Sequence, residues 1–210
     1  MISVAFLNHL KLVFMFKPFG KKGEPGVIDH PPFPVLIWNN KYKWWEGIAQ
    51  LPAWQGFQSC GGTYGAQDSD KASDGSAAIT VTPHSAGETI PPTDAQSRGF
   101  QFQLDHGPEV VCAVLETLMP FYQRLRAEWD LPEEPLREVT SPEQFRQMMG
   151  LSQIHVHPYY RDGLAYIGLE FGCDWDLEHG FGVMLHGARV VEFGYAAAAF
   201  EQQPDEAQST

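Results

Sequence analysis

Basic side chains are scarce in this sequence. Its 210 residues hold 14 Lys and Arg against 26 Asp and Glu, which gives a formal net charge of −12 at pH 7. Proteins hold nucleic acids mainly by neutralising phosphates with lysine and arginine, so this balance argues against a nucleic-acid-binding protein. Six lysines and two acids give residues 1–45 a net charge of +4, which leaves −16 for the remainder. The acidic body favours a basic protein partner, with simple solubility as the alternative interpretation.

Cysteine is scarce too. Cys60, Cys112 and Cys173 are odd in number, lie far apart and form no CxxC pair. Such spacing favours reduced thiols in a cytosol over a disulfide framework.

The sequence also lacks a long, uninterrupted apolar run. Its opening segment, MISVAFLNHLKLVFMF, is interrupted by Asn8, His9 and Lys11, whereas a membrane-spanning helix needs about 20 predominantly apolar residues. No basic region precedes this stretch and no small-residue cleavage site follows it, which is atypical of a secretory signal. We therefore expect a cytoplasmic protein without a membrane partner. Met15 is an alternative natural start, which would make residues 1–14 an upstream extension.

Hydrophobic residues make up 43% of the chain, enough for one sizeable core, and glycine and proline together number 36, which predicts many turns. The order of the patterns predicts an α+β fold: a single domain with a largely antiparallel sheet and two or three helices packed on one face. Residues 1–34 are expected to form a flexible or poorly packed leader, residues 35–200 the domain, and residues 201–210 a solvated acidic tail. Two segments, GGTYGAQDSDKASDGSA and HSAGETIPPTDAQ, are predicted to be connections.

The central part of the sequence predicts helices. The segment DHGPEVVCAVLETLMPFYQRLRAEW has apolar residues at three- and four-residue steps and places Pro108 in a first helical turn. Pro120 inside it predicts a kink or a break near residues 118–119. A second helix is predicted in TSPEQFRQMMG, where Ser141 and Gln144 form a capping box and Gly150 ends the helix.

The last third of the chain has the period of β-strands. In SQIHVHP, Ile154 and Val156 alternate with His155 and His157. LAYIGLEF alternates in the same way, and FGVMLHGARVVEFG predicts a hairpin that turns at Gly187-Ala188.

Titratable residues crowd into CDWDLEHGFGVMLHG, residues 173–187. One hypothesis is a metal-dependent hydrolase in which His155, His157 and His186 join Asp174 or Asp176, because zinc takes imidazole and carboxylate ligands. However, the polar face of an antiparallel sheet collects histidines by default, and no HExxH or GxSxG motif is present. We therefore expect no metal and no other cofactor, and keep the hydrolase as the alternative.

The other interpretation of this stretch is a polar corner that fixes the register of the final hairpin. Gly180 and Gly182 are expected to permit backbone shapes that other residues resist, and Asp176 is expected to accept hydrogen bonds from nearby backbone amides. Trp175 is expected to cover the end of the core. Glu178 and His179 are expected to pair with each other or with Arg189. An acidic corner of this kind can also bind a partner, and its predicted residues are Asp174, Trp175, Asp176, Glu178 and His179.

Adjacent tryptophans occur in KWWEGI. On a strand, Trp44 and Trp45 face opposite sides, so one lies in the core while its neighbour meets solvent or a partner. Because tryptophan is enriched at binding hot spots, Trp45 joins the corner as a candidate partner-binding residue.

Three segments, WWEG, PPTDAQ and YIGLEFGCDWDLEHGFGVMLHGARVVEFG, resemble an uncharacterised bacterial domain family. Its members end in a W-D-x-E-H-G-x-G-V turn and a hairpin, which correspond here to residues 175–183 and the strands after them. The resemblance implies a small, cytoplasmic single-domain protein without an established activity, and some members look like immunity proteins paired with bacterial toxins. It therefore implies a non-enzymatic interaction protein, an immunity-type antagonist that binds a toxin.

Overall fold

The computed structural model describes residues 26–59, 68–85, 87–128, 136–200, 204 and 208–209. Two α-helices occur in these ranges, α1 (Asp94–Asp105) and α2 (Gly107–Glu128), together with three short 3-10 helices at Pro52–Trp54, Pro142–Gln147 and Ala196–Ala199. The strands are β1 (Val27–Ile28), β2 (Leu36–Asn39), β3 (Trp44–Gln50), β4 (Gln58–Ser59), β5 (Asp68–Ala72), β6 (Ser76–Val81), β7 (Met149–Arg161), β8 (Leu164–Cys173), β9 (Asp176–His186), β10 (Arg189–Gly194) and β11 (Gln208–Ser209).

One large sheet organises the molecule. Its strand order is β1-β2-β3-β6-β7-β8-β9-β10, with β11 pairing with β7 off this path, and β4 and β5 form a separate pair. The pairing of β6 with β7 is parallel, while the other described pairs are antiparallel. The helix-rich segment between β6 and β7 provides the long crossover that a parallel pair requires. The predicted α+β single domain with a largely antiparallel sheet is confirmed.

Alternating apolar side chains build the core on one face of this sheet. Ile154 and Val156 of β7 are buried there, as are Ile167 and Leu169 of β8. The predicted alternation in both segments, and the hairpin that turns at residues 187–188, are confirmed. The buried residues of α1 and α2 cover this face, including Phe100, Val111, Val114, Leu115, Leu118 and Tyr122.

Helix α1 lies partly where a connection was predicted. It begins after Thr93, whose hydroxyl accepts a hydrogen bond from the Gln96 backbone N–H while the Gln96 side chain accepts one from the Thr93 N–H. The side chains of Gln96 and Gln103 are buried because their amides donate to backbone carbonyls of the sheet side, including those of Thr82 and Gly187. Because polar residues lie on its buried face, the α1 segment lacks the regular apolar spacing that predicts an amphipathic helix.

The two predicted helices also differ from expectation. Helix α2 continues through Pro120, so of the predicted kink or break the break is wrong and the kink stays a prediction. Both Pro120 and Glu116, the residue whose carbonyl loses its N–H partner, are exposed, so water can bond to that carbonyl. The capping box of Ser141 and Gln144 is confirmed, but the helix is a short 3-10 helix that ends at Gln147. Gly150 lies inside β7 and does not end a helix.

Three other predicted segments have mixed outcomes. The predicted leader, residues 1–34, lies mostly outside the described residues, and its last part holds β1. The predicted loop GGTYGAQDSDKASDGSA contains β5, which pairs with β4, and the first residues of β6. Most of the predicted tail lies outside the described residues, apart from Pro204 and β11. Two of the cysteines, Cys112 and Cys173, are free thiols, and Cys60 lies outside the described residues.

Glycines shape the second face of the sheet, opposite the helices. The 3-10 helix Ala196–Ala199 packs there directly on the backbones of β8 and β9. A Cβ placed on Gly168 would lie 1.8 Å from the Ala199 carbonyl oxygen, and one on Gly182 would lie 2.5 Å from the Ala196 carbonyl oxygen. No side chain fits between the sheet and this helix, so the helix can pack here only because residues 168 and 182 are glycines.

Candidate interaction corner

The turn between β8 and β9 is organised around Asp176. Its carboxylate accepts hydrogen bonds from the backbone N–H groups of Glu178, at 3.3 Å, and His179, at 2.9 Å. The predicted role of Asp176 as an acceptor for nearby amides is confirmed. The Nδ1 atom of His179 lies 3.0 Å from the same carboxylate. His179 therefore pairs with Asp176 rather than with Glu178, its expected partner, and in the strand register Arg189 lies opposite His186, at the other end of the hairpin.

Trp175 covers the end of the core, as predicted. Its side chain is 7% exposed and packs edge-on against Tyr122, with ring centroids 5.2 Å apart, and against Phe145, at 5.8 Å. The Tyr122 hydroxyl donates a hydrogen bond to the Arg137 carbonyl, at 2.8 Å, which ties α2 to the segment before β7. Aromatic pairs in this geometry add to the stabilisation from buried area. The corner thus has a rigid base.

Gly180 supplies the backbone shape that the turn needs. Its φ is +60°, and a Cβ at this position would lie 2.5 Å from the Phe171 carbonyl oxygen. Both observations exclude larger residues, because a side chain would be strained and would collide with β8. The predicted role of Gly180 is confirmed, but Gly182 does not have a positive φ, and its missing side chain instead leaves room for the backbone of Ala196.

Apolar side chains lie exposed beside the acids of this turn. Leu177 is 78% exposed, between Asp176 and Glu178 in the chain. The ring of Tyr195, itself 52% exposed, lies 5.0 Å from the His179 ring. Sequence reasoning missed Leu177 and Tyr195. An apolar residue alternating with charged neighbours at a turn was the available signal for Leu177, whereas Tyr195 reaches the corner only through the pairing of β9 with β10.

A second aromatic pair extends this edge along β10. The partly exposed ring of Phe193 packs at right angles to that of Phe121 in α2, with centroids 6.0 Å apart. Phe121 in turn contacts the buried Phe181, at 5.6 Å. The exposed aromatic edge is therefore anchored to the core. We call the set of Asp174, Asp176, Leu177, Glu178, His179 and Tyr195 the acidic corner.

Electrostatics at the corner are dominated by carboxylates. Asp174, Asp176 and Glu178 lie within five consecutive positions. Partial burial of its carboxyl raises the pKa of Asp174 to about 6, and the nearby Arg137 opposes this shift. The corner is therefore most negative above that pH and loses part of its charge in mild acid.

Trp45 lies away from this corner. It is 2% exposed in β3, where its indole N–H donates to the Ile90 carbonyl, at 2.7 Å, and its ring packs edge-on against Trp38, at 5.3 Å. Its neighbour Trp44 is the partly exposed member of the pair and stacks on Tyr42, at 4.9 Å. The expected division into one buried and one outward tryptophan is confirmed, but the structure places Trp45 on the buried side.

The histidines proposed as metal ligands have separate partners. His155 on the second sheet face lies between Thr80, whose hydroxyl is 3.0 Å from Nδ1, and Glu170, whose carboxylate is 3.1 Å from Nε2. His157 is buried, with Nε2 2.9 Å from the Ala199 carbonyl oxygen.

The third histidine, His186, uses its Nε2 atom to contact the Arg161 carbonyl oxygen, at 3.0 Å. Asp176 is engaged with the turn amides and His179. Within the described ranges, no group of three or more His, Cys, Asp or Glu side chains is arranged to hold a metal ion. The hypothesised ligand set is therefore not brought together there.

The geometry of the turn gives a testable expectation for stability. Asp176→Ala removes the acceptor for two backbone N–H groups and should lower the free energy of unfolding by about 1–2 kcal/mol. Asp176→Asn keeps an acceptor oxygen and should cost clearly less. Urea denaturation of both variants and of Glu178→Ala, a control expected within about 0.5 kcal/mol of the parent chain, measures this difference. Equal losses for Ala and Asn would contradict the role of the acceptor oxygen.

Comparison with known proteins gives one match. Residues 70–200 match the model of a domain of unknown function, DUF6985. This range includes the whole acidic corner. The match confirms the predicted resemblance to an uncharacterised domain family. No curated protein and no solved structure matches the chain. Among the described residues, no helix has both the length and the apolar character needed to cross a membrane.

Proposed function

The chain belongs to the DUF6985 family, and from its surface chemistry we propose that it is a non-enzymatic interaction protein, an immunity-type antagonist that binds a basic bacterial toxin through the acidic corner. The observation that carries this proposal is Leu177, a large apolar side chain that is 78% exposed at the start of β9, between Asp176 and Glu178 in the chain. Folding leaves such a residue in water at no benefit to the core, whereas a partner can bury it.

The corner has the composition of a binding surface. Aromatic residues are enriched at protein interfaces, and the half-exposed ring of Tyr195 lies against that of His179, two residues from Leu177 in β9. Fully burying one such side chain in a partner is favourable by roughly 1.5–3 kcal/mol. Leu177 and Tyr195 are the two apolar anchors of the proposed interface.

Rigidity of the corner supports the same function. Two backbone bonds to Asp176 and the positive φ of Gly180 fix the turn before any partner arrives. Trp175 and Phe121 hold it on the core. A preformed surface loses little conformational entropy on binding, so more of the contact energy contributes to affinity.

Charge defines the chemistry of the partner. Asp176 and Glu178 are the chain neighbours of Leu177, Asp174 lies two residues before Asp176, and the sequence outside residues 1–45 carries −16. A partner surface that presents lysine and arginine around an apolar pocket is complementary to this arrangement, and opposite charges accelerate the encounter. In a bacterium, the product of an adjacent gene is the first such partner to test.

The proposal predicts a specific loss of binding. Leu177→Asp removes the central anchor and should weaken the complex with that gene product at least about 10-fold, whereas Glu178→Lys should reduce the association rate and its salt dependence. Surface plasmon resonance measures both effects. Lys71→Glu, at an exposed position of β5, is the control and should bind like the parent chain. Unchanged affinity of Leu177→Asp for a partner that binds the parent chain would contradict the proposal.

A further inference from the structure

The second face of the sheet carries several apolar side chains over its N-terminal half, around Glu46, whose carboxylate accepts a hydrogen bond from the Asn39 side chain at 2.8 Å. Register places Val27 of β1 beside Ile37 of β2, and Ile37 beside Glu46 of β3, all on the face opposite the helices. Ile48 lies two residues further along β3, beside Ala78 of β6. Val27 is 62% exposed and Ile48 is 51% exposed. The face that an antiparallel sheet normally turns to water with polar residues carries aliphatic side chains here.

Aromatic side chains extend this surface at the turn between β2 and β3. Trp44 has the same orientation as Glu46, since its indole N–H points to the Glu46 carboxylate, at 3.4 Å. Tyr42, also about half exposed, stacks on Trp44. We call Val27, Ile37, Tyr42, Trp44, Ile48 and Ala78 the open sheet face. The 3-10 helix Ala196–Ala199 covers the other half of the same side, over β8 and β9.

We propose that the open sheet face is a homodimer interface, with a second copy of this chain packed on it face to face. In such an isologous pair, the two-fold axis would lie between the two sheets and run perpendicular to the strands. The same six side chains would then be buried from both copies. At their observed exposures these side chains offer on the order of 500 Å² per copy, so a pair reaches the ~1,000 Å² that a biological interface should exceed, before polar neighbours are counted.

Charge complementarity favours this occupant. Lys41 and Lys43 lie at the turn that begins β3, whereas Asp74 lies at its other end, where its carbonyl accepts from the Gln50 side chain. A two-fold axis across the strands reverses their direction, so the lysine end of each copy meets the Asp74 end of the other. Lys43 has a left-handed backbone conformation, with φ of +63°. Its backbone N–H donates to the Asn39 carbonyl and its ammonium group donates to the Asn40 side chain, and these bonds fix the lysine at this end of β3.

Sedimentation equilibrium of the full chain tests the dimer. The parent chain should behave as a dimer in the high-micromolar range and dissociate on dilution. Ile48→Asp should weaken self-association at least about 10-fold. Lys41→Glu should weaken it about 3-fold, and raising salt from about 50 to about 500 mM should have an effect of similar size. Leu177→Asp, which alters the acidic corner alone, is the matched control and should dimerise like the parent chain.

Circular dichroism and urea denaturation establish that each variant is folded. The parent chain remaining a monomer at all concentrations would overturn the proposal and assign the face to a different occupant. Dimerisation of Ile48→Asp with the parent affinity would overturn it as well. Loss of self-association in Leu177→Asp with retention in Ile48→Asp would move the interface to the acidic corner.

Discussion

Replacing His157 with leucine should flatten the loss of stability that the protein shows in acid. Burial lowers the pKa of this imidazole to about 3, against 6.5 for an ordinary histidine. The hydrogen bond to the Ala199 carbonyl raises this pKa, and nearby His155 lowers it further. The folded state therefore keeps His157 neutral, whereas the unfolded chain takes up a proton below pH 6.5. Its contribution to stability is complete above pH 6.5 and is lost as the pH falls towards 3.

The size of this effect follows from the shift. Each pH unit below 6.5 should cost the parent chain ~1.4 kcal/mol from His157, so the fall from pH 6.5 to pH 4.5 amounts to ~2–3 kcal/mol. His157→Leu lacks this slope. At pH 7.5 it should be less stable by ~1–3 kcal/mol, because the buried Ala199 carbonyl loses its donor. The two stability curves should therefore converge in acid.

Urea denaturation at several pH values measures both curves. Asp174 acts in the opposite direction, since its folded-state pKa of about 6 lies above its ordinary value of 3.8 and adds stability as the pH falls between those values. The difference between variant and parent removes this contribution, because both chains carry Asp174. His84→Leu, at an exposed histidine, is the control and should retain the parent slope. Parallel curves for His157→Leu and the parent chain would refute the buried, neutral state of His157.

Gly168→Ala should be among the most destabilising substitutions of a single methyl group in this chain. The added Cβ would lie 1.8 Å from the Ala199 carbonyl oxygen and 2.8 Å from the Ala199 carbonyl carbon, so the 3-10 helix Ala196–Ala199 must move. Its displacement also removes the bond from His157 and uncovers β8 and β9. We expect a loss of about 3 kcal/mol or more in the free energy of unfolding.

The matched control is Gly194→Ala at the end of β10. A Cβ at this position meets only the Ala198 side chain, at 3.7 Å, an ordinary contact. This variant should lie within about 1 kcal/mol of the parent chain. Urea denaturation compares the two. Similar small losses for both variants would show that the C-terminal 3-10 helix is not docked on the sheet as described.

The sequence predicted the strands of the last third because apolar residues recur at every second position on the face that the helices cover, as Ile154 and Val156 do in β7. The pattern did not show that the opposite face is also partly buried, where Tyr159, Tyr166 and Met184 form a second cluster. The parallel pairing of β6 with β7 was not predictable in this way, since it depends on the path of the chain through α1 and α2.

Helix α1 escaped prediction for a different physical reason. Its buried face includes Gln96 and Gln103, whose amides are satisfied by backbone carbonyls that only the folded sheet provides. A local pattern records the polarity of these residues but not their partners. The capping box at Thr93 and Gln96 was the available signal for the start of this helix.

Part of the acidic corner was predictable. The turn role of Asp176 and the covering role of Trp175 follow from residue chemistry at a hairpin entry, and both were predicted. Tyr195 reaches the corner because β10 ends beside Gly182 of β9, and its ring then lies 5.0 Å from that of His179. The buried position of Trp45 was not predictable from the local sequence. It depends on the pairing of β3 with β2 and β6, which decides which side of β3 faces the helices.

The most direct test of the proposed function is isothermal titration of the chain with the product of its adjacent gene, comparing the parent with Leu177→Asp and Ile48→Asp. Binding through the acidic corner predicts a complex whose affinity falls as salt is raised, falls at least about 10-fold in Leu177→Asp and is unchanged in Ile48→Asp. A complex that both variants form with parent affinity, or that only Ile48→Asp disrupts, would contradict the assignment of partner binding to the acidic corner.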